Sequence, residues 1–283
     1  MRVDKIDMGF LSIQDDLLMA RDDLFPSFMG GNKARKMEHI LADIMANQHN
    51  AVVTTGGIQS NHCRVVALAC AFYNWPCKLV LHGSREQFYA ERGNALIMRA
   101  AGALPEFVDA ADIGPAMDQA MEEFRKQGFQ PYYLYGGGHN RAGVNAYVKA
   151  VFELKDSLPP EYKPDHIFLA SGTGSTQAGI LAGCREVGWQ HTRVHGISVA
   201  REKERGKEAI LESLGFLEMD AAGISAQIEF YDDYLFGGYG RYTGELEAFI
   251  ARVAEHSGII LDSTYSGKAF YGMVRTIREQ QLK

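Results

Sequence analysis

The chain has 283 residues, 46% of them hydrophobic, and a formal net charge of −6. That length makes one large α/β domain or two modest ones, with material for a sizeable core. The acidic balance speaks against a nucleic-acid partner, because phosphate binding needs a basic face, although it leaves room for a local basic pocket.

The N-terminal stretch MRVDKIDMGF has no apolar signal core, and no apolar run is long enough to cross a bilayer. A cytoplasmic protein with neither membrane nor nucleic-acid partner is expected. The cysteines, Cys63, Cys70, Cys77 and Cys184, form no C-x-x-C pair. A zinc ribbon is therefore not expected, nor any other metal site. They read as small apolar residues in packed structure, suited to a reducing compartment.

In chain order the sequence predicts a helix over 36–46, a strand over 51–54, a helix over 64–73 and a strand over 77–82. A helix follows over 115–127, a strand over 132–135, a helix over 142–156 and strands over 166–170 and 194–199. Helices over 245–256 and 268–283 close the chain. Short apolar runs alternating with amphipathic ones predict two open, doubly wound parallel sheets with helices on both faces. Pro159, Pro160 and Pro164 mark a linker over 156–164, and a softer break lies near 47–50. The expected division is a larger domain of residues 1–47 with 156–283, and a smaller one, 48–155, inserted in it.

Three glycine-bearing segments carry the chemistry. In Gly30-Gly31-Asn32-Lys33-Ala34-Arg35-Lys36, two glycines lead into a helix whose start holds three cations. That is the wrong sign for a helix N-terminus, and an anion bound there would account for it. A lysine in such a place has a depressed pKa and becomes a usable amine; the plain alternative is a solvated basic helix end. In the second segment, residues 51–62, a buried strand ends in Gly56-Gly57, and Ser60 or Asn61 caps a helix whose free amides suit a carboxylate or phosphate. The third, residues 167–179, runs an apolar strand into Ser171-Gly172-Thr173-Gly174-Ser175-Thr176. A phosphate cradle is its best reading. It is not the dinucleotide fingerprint, which needs glycine where Gln177 stands, nor a Walker loop. Tyr239 and Tyr265 lie beside glycines, where packing is the ordinary reading. His139 reads as a turn residue, and His191 and His195 read as structural.

Together, and in this order, the segments resemble the pyridoxal 5'-phosphate (PLP) dependent family of 1-aminocyclopropane-1-carboxylate (ACC) deaminases and D-cysteine desulfhydrases, of the tryptophan synthase β-subunit fold type. The resemblance begins at Leu17-Leu-Met-Ala-Arg-Asp-Asp-Leu24, includes Gly56 to Arg64 and Arg92-Gly-Asn-Ala, and ends over Asp262 to Met273. It implies that Lys33 carries PLP covalently, that Lys36 lies near the phosphate, and that Gly172, Thr173, Gly174, Ser175 and Thr176 cup it. It implies that Gln59, Ser60, Asn61 and His62 receive the substrate carboxylate, Asn61 also lying beside the ring hydroxyl. It places Tyr239 and Tyr265 at the substrate as catalytic residues with Lys33, and implies a small amino-acid substrate and a homodimer.

Two departures from the family shape the expectation. ACC deaminases carry a glutamate after the tyrosine that matches Tyr265; here it is Ser266, opposite the ring nitrogen. A hydroxyl makes the ring a weaker electron sink than a carboxylate does. The expected reaction is therefore a D-cysteine desulfhydrase-like β-elimination giving keto acid, ammonia and sulfide. ACC deamination and racemization on the same scaffold are the alternatives, and a catalytically silent binding protein is the alternative of another class. Family members also usually carry a segment before the Leu17 strand and a final strand with a glycine-rich turn. The expectation here is one open wall of the site, or a partner chain that closes it. Asp262-Ser263-Thr264 replaces the family's Asp-Pro-Val and is expected to alter the pocket slightly.

Overall fold

The structure, a computed structural model, describes residues 1–13, 17–219, 223–224 and 227–282. The final residue of the predicted C-terminal helix, Lys283, lies outside them. The elements in chain order are β1 (Val3–Ile6), β2 (Leu17–Ala20), α1 (Gly31–Ala46), β3 (Ala51–Gly57), α2 (Asn61–Phe72), β4 (Cys77–His82), α3 (Arg85–Ala90), α4 (Asn94–Ala100) and β5 (Leu104–Phe107). There follow α5 (Ile113–Lys126), β6 (Pro131–Leu134), α6 (Arg141–Asp156), β7 (His166–Ser171), α7 (Ser175–Glu186), β8 (Arg193–Ser198), α8 (Lys203–Gly215), β9 (Ile228–Tyr231), α9 (Gly244–Ser257) and α10 (Ser266–Gln280). The chain forms two compact units, residues 22–146 and residues 1–21 with 147–283.

In the unit of residues 22–146, a four-stranded parallel sheet has the order β5-β4-β3-β6. Alternation along the strands decides which side chains face which layer. Val52, Leu79 and Leu81 join a buried cluster with the α1 stripe Met37, Ile40, Leu41 and Ile44 and with Val65, Val66 and Ala69 of α2. Their neighbours Ala51, Val53 and Val80 face the other way, onto Ala116, Met117, Ala120, Met121 and Phe124 of α5. Helices therefore cover both faces, and near-continuous apolar strands are the consequence. The chain lays down β3, β4 and β5 in one direction and then returns to place β6 on the far side of β3. That reversal is a topological switch point, and in open α/β sheets ligands bind outside the carboxyl ends of the strands at such a point.

In the unit of residues 1–21 and 147–283, β7, β8 and β9 form a parallel sheet in that order, and β1 pairs antiparallel with β2. Phe270, Met273 and Val274 of α10 pack with Val253 of α9 and with Ile6, Met8, Leu11 and Ile13. Among the described residues no helix is long and apolar enough to cross a membrane. All four cysteines are buried and free, and burial pushes the Cys63 and Cys184 thiols up to about 12.

His195, in mid-strand on β8, is 1% exposed. It bonds His166 at 2.9 Å and the Tyr231 hydroxyl at 3.2 Å, and it stacks on Phe168. Burial, helped by the His166 and Arg193 charges, pulls its imidazole down to about 3. The folded ring thus titrates well below a free imidazole, so the unfolded chain takes the proton first. Stability is full above about pH 6.5 and is lost as pH falls below it, roughly 1–2 kcal/mol for such a histidine by pH 5. Urea unfolding midpoints at about pH 7.5 and about pH 5 measure this, and His195→Phe should reduce the difference by that amount.

Candidate active site

The switch point between β3 and β6 gathers the residues predicted from the first two glycine segments. Lys33 and Lys36 enter it from the first two turns of α1. Their Nζ atoms approach one carbonyl, that of Gly137 in the loop after β6, at 3.5 and 3.3 Å. Lys36 is 1% exposed; Lys33 is half-buried as a residue, and desolvation pulls its amine down to about 8. Lys36 is driven well down by burial first and by the Lys33 charge second. The first turn of α1 holds no acidic residue. Two amines forced together in this way supply positive charge to an incoming anion and a partly neutral amine to an electrophile.

The backbone before α1 is unusual. Phe28, Met29, Gly30 and Gly31 all have positive φ, at 47, 66, 70 and 85°. Arg64 of α2, 7% exposed, donates from Nη1 to the Phe28 carbonyl at 3.0 Å and secures this turn. Its Nε is buried and has no partner among the described residues.

At the end of β3, Ser60 caps α2, its Oγ accepting from the Cys63 N–H at 3.2 Å. That leaves the hydroxyl proton and the first-turn amides as donors. Asn61 Oδ1 accepts from Asn94 Nδ2 at 2.9 Å, so the Asn61 amide nitrogen is turned outward as a donor. Asn94 also donates to the Gln59 carbonyl, and Gln59 itself is tied to the Arg92 carbonyl and the Ala95 N–H. The loop of residues 59–61 is thus clamped by the start of α4. His62 is turned into the sheet. Thr54 Oγ1 donates to the Leu134 carbonyl, so it accepts from His62 Nε2–H at 2.8 Å, which assigns the tautomer. Burial, then the Lys33 and Lys36 charges, pull the His62 ring down to about 3. Its one N–H is spent, and a carboxylate would meet the loop's other donors.

Gly172 to Thr176 join β7 to α7 in the other unit. Gly174 is the N-cap of α7 and supplies no side-chain cap, so the helix start offers bare amides. Thr173 and Ser175 pair through their hydroxyls at 3.2 Å. Ser171, 2% exposed at the head of the loop, has a buried Oγ with no partner among the described residues. An orphaned buried hydroxyl beside an uncapped helix start is a donor set waiting for an anion.

Tyr239 and Tyr265 are brought together, hydroxyl to hydroxyl at 2.5 Å, with rings edge to face. Ser266 opens α10. Its Oγ donates to Asp262 Oδ1 at 2.6 Å and accepts from the Asp262 N–H at 2.8 Å. The same carboxylate accepts from the N–H groups of Thr264, Tyr265 and Ser266. The Ser266 proton is therefore committed, and toward a further group the oxygen presents a lone pair.

Sequence reasoning missed the residues that hold these side chains: Thr54, Arg64, Asn94, Gly137 and Asp262. Asn94 lies within Arg92-Gly-Asn-Ala, and only that pattern pointed to it. Arg64 and Asp262 also lie within segments of the resemblance, but their holding roles did not show: Arg64 acts on Phe28, 36 positions away, and Asp262 acts through a turn whose bonds only the structure displays. Thr54 and Gly137 gave no local signal, because the Leu134 carbonyl and the two lysines they meet are distant in sequence.

The donors of each unit fit PLP. The unit of residues 22–146 has a partly neutral lysine for an aldehyde and a second buried lysine; the other unit has an uncapped glycine loop with an orphaned hydroxyl suited to a phosphate. The family profile for pyridoxal-phosphate dependent enzymes matches residues 10–283. A Pyrococcus horikoshii protein provisionally named 1-aminocyclopropane-1-carboxylate deaminase is 36% identical over 275 residues, 94% of this chain and 81% of that one. A D-cysteine desulfhydrase of Klebsiella pneumoniae is 31% identical over 95% of this chain and 83% of its own. The crystal structure of an ACC deaminase homologue superposes with a TM-score of 0.87 at 33% identity, covering 100% of this chain and 86% of that one. With this sequence likeness and a matching fold across nearly its whole length, the chain belongs to the family of pyridoxal-phosphate dependent enzymes.

Proposed function

We propose that the chain is a lyase that eliminates the β-substituent of a small amino acid, as the D-cysteine desulfhydrase relative is named for doing. Bound PLP supplies the electron sink for the negative charge that develops at the substrate α-carbon. Lys33 would hold it through its amine and, once exchanged for the substrate's amine, would take the α-proton as general base. Lys36 and the loop from Gly172 to Thr176 would hold the phosphate. Asn61, its oxygen engaged by Asn94, would donate to the ring hydroxyl. The Ser60 hydroxyl and the amides at the start of α2 would receive the carboxylate, on the loop that Gln59 and His62 brace from either side. The Tyr239–Tyr265 pair would pass a proton to the departing sulfur. With water, a β-thiol amino acid then yields a keto acid, ammonia and hydrogen sulfide.

The observation that carries elimination over ring opening is Ser266. Its proton is given to Asp262, so a ring nitrogen would meet a neutral oxygen. A neutral acceptor holds a nitrogen-bound proton less firmly than a carboxylate, because charge-assisted bonds are about twice as strong. Elimination discharges the α-carbon as the leaving group departs, and a modest sink suffices. Cyclopropane opening breaks a carbon–carbon bond and needs a stronger one.

A panel of small D- and L-amino acids and ACC, assayed for keto acid, ammonia and sulfide, tests the reading. Sulfide release from D-cysteine should exceed ACC deamination by at least about 10-fold, the scale of discrimination a single pocket group supplies. An enzyme that opens ACC and leaves D-cysteine untouched would sink it. We read the protein further as a cytoplasmic homodimer, since its four buried free thiols suit a reducing compartment and twofold dimers predominate among soluble oligomers. Sedimentation velocity measures the oligomeric state.

A further inference from the structure

Lys268 lies in the first turn of α10, where a helix start disfavours positive charge, and it is 0% exposed. A buried ammonium persists only when strong acceptors meet its protons. Two carbonyls do so here, those of Leu235 and Gly238, each at 2.7 Å. Both belong to the segment after β9, which has neither helix nor strand over residues 232–243. Its backbone is open: Phe236, Gly237, Gly238 and Gly240 have φ of 50, 91, 116 and 70°. Such a segment has no ladder to fix its shape, and its internal bonds are turns, Gly238 N–H to Leu235 and Arg241 N–H to Gly238. The lysine accordingly bridges the two turn carbonyls.

The residue after Gly238 is Tyr239, and the residue before α10 is Tyr265. One cation therefore ties the backbone of the first tyrosine to the helix that carries the second. Their hydroxyls meet at 2.5 Å and their ring centroids lie 5.9 Å apart. Tyr239 is otherwise on an exposed loop, 44% accessible.

We propose that Lys268 is a positioning residue: its ammonium, by closing on the Leu235 and Gly238 carbonyls, sets the Tyr239–Tyr265 hydroxyl pair. Its consequence for catalysis rests on the proposed place of that pair at the substrate; its consequence for the pair's geometry does not. A lysine reaches two carbonyls through one small rotating head, whereas a guanidinium needs more room and a fixed plane.

The test uses the holoenzyme with tyrosine labelled at Cζ for NMR, the two resonances being assigned with Y239F and Y265F. In K268M the Tyr239 and Tyr265 signals should shift, while those of tyrosines in the other unit, such as Tyr73 and Tyr132, hold. kcat for the preferred amino acid should fall roughly 10- to 100-fold, as a small misplacement of a reacting group costs, with KM moving less than about 3-fold. If Lys268 acts through Tyr239, the Y239F/K268M double variant should be within about 2-fold of Y239F, because coupled effects do not add. Should K268M not fold, K268A, which removes the donors with the rest of the side chain, carries the same readings. Unmoved Tyr239 and Tyr265 signals in a folded variant, or losses that multiply in the double variant, would overturn the proposal. Shifted signals with a fully active Y239F would instead leave Lys268 as the determinant of the pair and remove the tyrosines from the chemistry.

Discussion

Lys33→Ala is expected to abolish turnover and the covalent, borohydride-stable attachment of PLP together. The residue serves twice in the proposed reaction, as carrier and as general base. A positioned base alone contributes about 10²–10⁴-fold, so kcat should fall by at least about 10³-fold. Lys36 remains in the variant, 3.3 Å from the same Gly137 carbonyl, so the wild-type peptide map is decisive: a wild-type adduct on the Lys36 peptide shows that Lys33 is not the carrier, whereas an adduct that appears on Lys36 only in the variant marks a neighbour standing in. The wild type gives a second reading. With its amine pulled down to about 8, about a fifth of Lys33 is neutral near pH 7.4, against roughly one in a thousand for an ordinary lysine. PLP capture by the apoprotein, followed by yellow colour, should therefore rise with pH and level off above about 8. A rate still climbing steeply toward pH 10 would show that desolvation does not tune this amine. A colourless wild type that takes up no PLP would restore the silent-binder reading.

Gly30→Ala carries the next largest expected effect. At a φ of +70°, an added Cβ would sit 2.3 Å from the Asp23 carbonyl oxygen and 3.0 Å from its carbon. Neither atom is the end of a flexible side chain, so the turn itself must move. With ψ at −174° the residue sits in a region that is essentially glycine-only and costs another residue about 1–3 kcal/mol, and the collision brings the total to about 3 kcal/mol or more. For a chain of this size that lowers Tm by about 6–12 °C. Gly31→Ala is the control: its φ of +85° also strains a non-glycine residue, but its Cβ would meet nothing within 4 Å. Calorimetry on the pair separates the two contributions. Lys33 stands three residues on, so slower PLP capture by Gly30→Ala than by Gly31→Ala is also expected. Equal Tm values and equal capture rates would show that this turn does not set the lysine.

Much of the candidate site was legible as local structure because each piece is contiguous. A strand, a glycine-rich loop and a helix start are contiguous in sequence, and Lys33, Ser60 and Gly172 to Thr176 all lie on such junctions. Alternating apolar runs also announced parallel sheets covered by helices, and the predicted strand over 77–82 coincides with β4. The short elements escaped. β5, Leu-Pro-Glu-Phe, is a four-residue edge strand with a proline and a charge, and β9 is an edge strand of the same length. Neither is long enough to show a period.

By itself, the sequence determined that Lys33 begins a helix with too much positive charge and that a glycine-rich strand-to-helix loop suited to an anion lies elsewhere in the chain. Only the tertiary structure decided what holds them. Lys33 and Lys36 meet Gly137 across 104 and 101 positions of chain, Asn61 is oriented by Asn94 across 33, and Lys268 reaches back 33 and 30 to its two carbonyls. It also turned His62 away from the loop it sits in, by giving its single N–H to Thr54. The apolar face of α1 could be read from its spacing, but not that α2 and β3 would cover it. Local patterns encode which face is buried and where a helix begins. Hydrogen-bond partners are chosen by strand order, and the reversal that puts β6 beside β3 is a property of the whole fold.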